Sequence, residues 1–273
     1  MVFYRQYHPA PRLAPWIECY WIYRCSGDYD RIEPLIPGGR VELAFTFSTP
    51  VQWLISPENP SGLRMDRPHF MGQRDRAFSW HPAGDTHFLG IRFKPGALAA
   101  FTPIPISELL NRLVPAADIF GAVVGEWEDM LYRETTDEGK IARLDELLPT
   151  LLLHDPQTAP LVGSALELIR RHPDETSIQT ICRQTGTYYK KLERLFEASV
   201  GYSPKQYYRI VRFNKAIRQI DGCKKLTAIG YDCGYFDQSH FIREFRRFTG
   251  TTPRSFQPGE HSIADLLIRH QPV

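Results

Sequence analysis

The chain has 273 residues, is 42% hydrophobic and carries a formal charge of only +2 at pH 7. This is ample for packed cores in one large domain or two ordinary ones, and the class is soluble and globular. No run approaches the roughly 18 apolar residues of a membrane span, and the start MVFYRQYHPAPRL lacks the apolar core of a signal peptide, so a cytoplasmic protein with no membrane partner is expected.

Residues 1 to about 100 are rich in Pro, Gly and aromatics, and their apolar runs are short: VELAFTF (41–47), VQWLI (51–55) and FLGIRF (88–93). Runs of about four to eight residues bounded by Pro, Gly or Asp favour strands, which predicts a β-rich barrel or sandwich. Pro37, Gly38 and Gly39 form a turn into a strand, where the shared parity of Arg40 and Glu42 puts both on one side of the sheet. They either grip a polar effector or form a structural ion pair, the second being favoured. Trp16, Tyr20, Trp21 and Trp53 are either the wall of an apolar pocket or core, again the second favoured. Trp21, Arg40, Glu42 and Trp53 are therefore the effector-binding candidates. Arg64, Arg67, Arg74 and Arg76 are interrupted by Asp66 and Asp75 and read as surface. His69, His81 and His87 include no His-X-His pair and no ligand-spaced Glu, so neither a metal nor a cofactor is expected. The five cysteines, Cys19, Cys25, Cys182, Cys223 and Cys233, are odd in number and scattered, which predicts reduced thiols.

From Ile106 the spacing turns helical, in ISELLNRL, AVVGEWEDMLYRE and KIARLDELLPTLLL. In the last, Ile141, Leu144, Leu148 and Leu151 make one apolar stripe that Pro149 should kink or end. Such a stripe packs on its own domain or makes a homodimer contact. HDPQTAP (154–160) is a linker, with two prolines and few apolar residues. The predicted fold class is α+β in two domains: a β-rich sensor, effector or dimerisation domain with a helical end over 1–155, an all-α domain over 160–258, and a tail over 259–273.

Charge divides along the same line, since residues 163–257 hold 17 Lys and Arg against 9 Asp and Glu while the remainder holds 16 against 22. A basic module tied to an acidic one fits phosphate binding on one side only. The basic half also contains a duplication. Leu192, Arg194, Phe196, Gly201 and Pro204 recur 49 positions later as Phe241, Arg243, Phe245, Gly250 and Pro253. Upstream, Ile181, Cys182 and Gly186 match Ile229, Gly230 and Gly234 at a spacing of 48, so the second copy has one extra residue in its turn. Two copies are too few for a solenoid.

Each copy reads as a short helix, a turn carrying Gly, and a second helix, which is the helix-turn-helix pattern. In the first, SIQTICRQ is capped by Ser177 and YYKKLERLFEAS follows; in the second, LTAIGYDC precedes DQSHFIREFRRF, capped by Asp237. Phe241, Phe245 and Phe248 should be buried, leaving Gln238, Ser239, His240, Arg243, Arg246 and Arg247 outward. Gln pairs with adenine and Arg with guanine, the chemistry that base readout requires. Leu192, Leu195 and Phe196 should likewise be buried, with Lys190, Lys191, Glu193 and Arg194 outward. Between the copies, SPKQYYRIVRFNKAIRQI reads as a connector of about 18 residues, roughly 27 Å at ~1.5 Å per residue. Such a rod holds two recognition helices about one DNA turn, roughly 34 Å, apart.

The runs LERLFEASVGYSPKQYYR (192–209) and IGYDCGYFDQSHFIREFRRFTGTTPRSF (229–256) resemble the DNA-binding domain of AraC/XylS-type transcription regulators. The resemblance covers residues 163–257 and implies about seven helices, with two helix-turn-helix units bridged by a long helix, in a DNA-binding activator or repressor. Carried over by position, it puts base contacts on Lys190, Glu193, Arg194, Gln238, Ser239, His240 and Arg243. Backbone contacts are expected from Thr187, Lys191, Arg209, Arg212, Lys215, Arg246 and Arg247. The sequence departs from the family pattern at Tyr188, where a capping Ser is usual and Thr187 is left to cap, and at Cys182, where a small Ala is usual. The N-terminal half is similar to a poorly characterised sensor domain that precedes this module in some bacterial regulators. The implied partners are double-stranded DNA, RNA polymerase, a small-molecule effector and a second copy of the chain. The reading is of a regulator and not an enzyme; the competing one is a DNA-tethered enzyme acting on a small molecule or damaged base in the N-terminal barrel.

Overall fold

The structure, a computed structural model, describes residues 2–26, 32–48, 51–54, 63–81, 84–153, 160–171, 177–220 and 225–256. The linker residues 154–159, Cys223 and the tail 259–273 lie outside the described residues.

The N-terminal domain holds two antiparallel sheets. The larger runs in the order β1 (Val2–Tyr7), β2 (Ile17–Cys25), β9 (Thr86–Phe93), β4 (Glu42–Thr46), β7 (His69–Met71), β10 (Leu113–Pro115). The smaller runs β3 (Glu33–Leu35), β8 (Phe78–His81), β5 (Val51–Leu54), β6 (Leu63–Met65). Alternation along β2 divides its side chains between two cores: Tyr20 and Ile22 face the helical side, whereas Cys19, Trp21, Tyr23 and Cys25 join the aromatic cluster of Trp80 and Phe88. Trp21 lies opposite Gly90, where an added Cβ would stand 1.9 Å from the indole, so the indole needs glycine there.

The helical side is covered by α1 (Ala116–Phe120), α2 (Val123–Arg133) and α3 (Asp137–Leu147), whose Trp127, Leu131, Ile141 and Leu144 are buried among Tyr20, Phe45 and Phe93. At Pro149 the α3 helix tightens into a 3-10 turn over Leu148–Leu151, and its stripe packs on its own domain. ISELLNRL, expected to be helical, is only a 3-10 turn over Ile106–Leu109. Asn111 then takes a left-handed backbone, φ 56°, and Leu113–Pro115 pairs with β7. The hydrogen bonds available at that sheet edge outweigh the local apolar spacing.

Six helices follow among the described residues: α4 (Pro160–Arg171), α5 (Ile178–Gln184), α6 (Tyr189–Val200), α7 (Pro204–Ile217), α8 (Leu226–Asp232) and α9 (Gln238–Thr249). The chain thus has the two-domain α+β organisation read from its sequence. Both copies share one core, in which Leu192, Phe196, Phe213, Phe241, Phe245 and Phe248 are all buried. The connector α7 opens with a capping box, Ser203 and Gln206, and with Pro204 in its first turn. It has 14 residues, about 21 Å, shorter than expected because tight turns after Ile217 (Gln219 N–H to Ala216 O, Ile220 N–H to Ile217 O) end it.

The domains meet along the loop after β7. Gln73 Nε2 donates to the Val200 carbonyl at 2.8 Å, the Tyr202 hydroxyl donates to the Arg74 carbonyl at 2.5 Å, and Arg247 Nη2 pairs with Asp75 at 2.6 Å. Three consecutive residues therefore touch both helix-turn-helix units. Arg74, read as surface, is 5% exposed; its guanidinium lies near the Ile36 carbonyl and the Phe78 ring. Gly201 ends α6 with φ +84°, and an added Cβ would be 3.0 Å from the Ile106 carbonyl.

Candidate nucleic-acid interface

In the second unit Asp237 is the N-cap of α9, its Oδ1 accepting from the His240 N–H at 2.6 Å. That fixes where the helix starts and leaves its positive end facing outward. Gln238, Ser239, Arg243 and Arg246 are exposed; His240 is partly exposed and its ring meets Tyr235 edge to face at 5.4 Å. Arg247 is also exposed but is held by Asp75.

The first unit starts less cleanly. Tyr188 occupies the N-cap of α6 without a side-chain bond to the helix, and it is 67% exposed. Thr187, left to cap in its place, does not: its Oγ1 is buried with no hydrogen-bond partner among the described residues. Lys190, Lys191 and Arg194 are exposed on α6. Glu193 accepts from the Tyr189 hydroxyl at 2.6 Å and from Lys190 at 3.3 Å, and the first of these bonds holds its carboxyl below the usual range. The same bond, with burial, pushes the Tyr189 hydroxyl up to about 12.

The two recognition helices open onto one groove of about 970 Å³. Tyr189 at the start of α6 and His240 at the start of α9 line it, with Lys205, Arg209 and Arg212 from α7. Lys205 is exposed and Lys215 half-buried. Arg209 and Arg212 both pair with Glu244, whose side chain is 1% exposed. Sequence reasoning passed over Glu244 among the arginines around it, although it lies three residues after Phe241 and four before Phe248, on the buried stripe.

The effector candidates do not converge as one set. Arg40 bonds Glu18 at 2.5 Å, and Glu42 bonds Arg92 at 2.6 Å, so the two are not each other's partners. Arg92 is fully buried; burial works against its charge, yet Glu42 and its neighbours hold its pKa well above the usual value. Glu18 Oε1 and Arg92 Nη1 stand 3.8 Å apart, each without a hydrogen bond among the described residues. Trp21 is buried beside Tyr4, whereas Tyr20 and Trp16 belong to the other face of the sheet. Trp53 sits opposite Trp80 in the β5–β8 register, but its side chain lies outside the described residues. Among the described residues no three His, Cys, Asp or Glu side chains are grouped to hold a metal, and Cys19, Cys25, Cys182 and Cys233 are not joined by disulfides.

Two helix-turn-helix units on one helical connector, with the first turns of both recognition helices lining one groove, have the arrangement of a double helix-turn-helix DNA-binding domain. Residues 181–258 match the family described as a helix-turn-helix domain, and residues 5–115 match a domain of unknown function (DUF6597). The HTH-type transcriptional regulator RipA of Corynebacterium glutamicum is 29% identical over 160 residues, 56% of this chain and 48% of RipA. The HTH-type transcriptional regulator ArgR of Pseudomonas aeruginosa is 36% identical over 140 residues, 50% of this chain and 40% of ArgR. The chain thus spans less than half the length of these relatives. Among solved structures, an AraC-type DNA-binding domain protein from Chromobacterium violaceum is 28% identical, covering 37% of this chain and 91% of its own with a TM-score of 0.34. ToxT from Vibrio cholerae is 12% identical, covering 86% of this chain and 95% of its own with a TM-score of 0.47. Over residues 181–258 the chain carries a helix-turn-helix domain, and in this C-terminal part it is similar to HTH-type transcriptional regulators.

Proposed function

We propose that the chain is a sequence-specific, cytoplasmic transcription regulator that reads two successive major grooves of double-stranded DNA, with α6 and α9 as recognition helices. The observation that carries this is the common groove onto which both helices open, lined with Lys205 and Arg209. Gln238, Ser239, His240 and Arg243 read base edges in one major groove; Lys190, Glu193 and Arg194 do so in the other. Lys191, Lys215 and Arg246 serve the phosphates, whereas the Thr187 hydroxyl, also expected there, is buried. Its further partners are RNA polymerase, a small-molecule effector and a second copy of the chain, and the reading assigns it no catalysis.

The N-terminal domain modulates binding. Supporting this, Gly39, next to Arg40, lies against α7, where an added Cβ would stand 3.3 Å from the Tyr207 ring and 3.6 Å from Ile210. An effector engaging Trp21, Arg40 or Glu42 would act on the sheet whose Gly39–Arg40 turn borders the DNA-binding domain.

Gln238→Ala or Arg243→Ala should cost about 1–3 kcal/mol on a selected duplex and relax the preference at single bases. Lys215→Ala should weaken selected and random duplexes alike and reduce the salt slope. Identical behaviour of the two classes on both duplexes would refute the division between readout and phosphate contact.

A further inference from the structure

We propose that Glu244 is a positioning residue, a buried anion that locks the second recognition helix to the connector and so fixes the distance and phase at which the two units meet DNA. The proposal rests on the reading of the chain as a two-unit DNA reader. Glu244 Oε2 accepts from Arg209 Nε at 2.6 Å, and Oε1 accepts from Arg212 Nη2 at 3.0 Å and from the Tyr235 hydroxyl at 2.9 Å. Arg212 also donates to the Gly234 carbonyl at 3.3 Å and lies 4.0 Å from the centroid of the Tyr235 ring. One carboxylate therefore gathers three elements: the connector α7, the turn before α9, and α9 itself.

Apolar packing of Phe213 on Phe245 and Phe248 also joins α7 to α9. That attraction is not directional, so by itself it tolerates small rotations and slides. Charge-assisted bonds to two guanidinium groups are directional, and a buried charge left without its partner is costly. Together these hold α9 in one orientation on α7. Gln238, Ser239 and Arg243 ride on the same helix, and His240 Nε2 is 4.0 Å from Glu244 Oε2, so the aim of the readout side chains follows the clamp. Arg209 and Arg212 act through this carboxylate, aiming the second unit rather than only attracting phosphate.

The test uses the full chain and duplexes carrying its two selected blocks, with the spacer changed by one to three base pairs. Each added base pair moves the second block by about 3.4 Å and about a tenth of a turn. The wild type should lose roughly tenfold in affinity per base pair of displacement, as a lost base contact would cost. Glu244→Gln should flatten that dependence to within about threefold while binding each single block as the wild type does. A folded Glu244→Gln protein with the wild-type spacing profile overturns the proposal, as does a flat profile in the wild type. Should Glu244→Gln fail to fold, Arg209→Gln removes one half-exposed arm. Partial flattening relative to its own best spacing then supports the clamp, and an unchanged profile overturns it. If the full chain selects no duplex at all, the DNA-reading assignment fails instead.

Discussion

His69 is fully buried on β7, and burial lowers its pKa to about 4, with the hydrogen bond to the Arg67 carbonyl opposing the shift. The sign follows from linkage. The ring is neutral in the folded chain and becomes charged in the unfolded chain below about pH 6.5, so stability is unaffected above that value and falls as pH drops toward 4. Between pH 7 and pH 5 the loss from His69 should be about 2 kcal/mol, and His87, shifted to about 4 by burial and then by Arg24, works in the same direction. Denaturant unfolding at the two pH values measures it; His69→Gln should lose less than the wild type, and equal losses would contradict the assignment. At this scale the sequence is legible where a residue's role is local. Asp237 caps α9 and Ser177 caps α5 as read, because a cap is made within three residues. Arg74 and Glu244 were not legible as buried groups, because Tyr202 and Arg212, which hold them, lie 128 and 32 residues away.

Of the two recognition helices, α6 is the weakly started one. Its N-cap residue Tyr188 offers no acceptor to the first N–H groups, while α5, α7 and α9 each have a side-chain cap. Tyr188→Ser should stabilise the chain by about 1 kcal/mol, since a mostly exposed ring gives up little packing and a serine oxygen satisfies a free donor. Thermal unfolding checks this, and an unchanged or lower midpoint would show that the ring does more than fill the position. Recognition helices were legible because apolar stripes, glycine turns and caps agree within each copy. ISELLNRL was not, because the choice between helix and strand there is made by the open edge of β7, a partner some forty residues upstream. The length of α7 was overread for a related reason, as apolar spacing continues past the tight turns that end the helix.

At the scale of the whole molecule, the loop 73–75 ties the N-terminal domain to both helix-turn-helix units. Asp75 occupies Arg247, one of the cations of α9, and so competes with phosphate for it. Asp75→Asn in the full chain should tighten binding to any duplex and steepen the plot of log affinity against log salt by about 0.9, the contribution of one additional phosphate contact. Arg247→Gln should abolish the difference; a slope unaltered by Asp75→Asn would mean that Arg247 does not reach DNA. The division into an acidic and a basic half was visible in composition, but this strap was not, since it joins residues 172 positions apart.

The most direct test of two units reading DNA from one chain is selection of bound sequences from a random duplex pool with this 273-residue chain. Two sequence blocks with centres about 10 base pairs apart, one helical turn, are the expected result. Mirrored copies of that pair would add a dimer to it. A single block, or two blocks with no fixed spacing, would contradict the account.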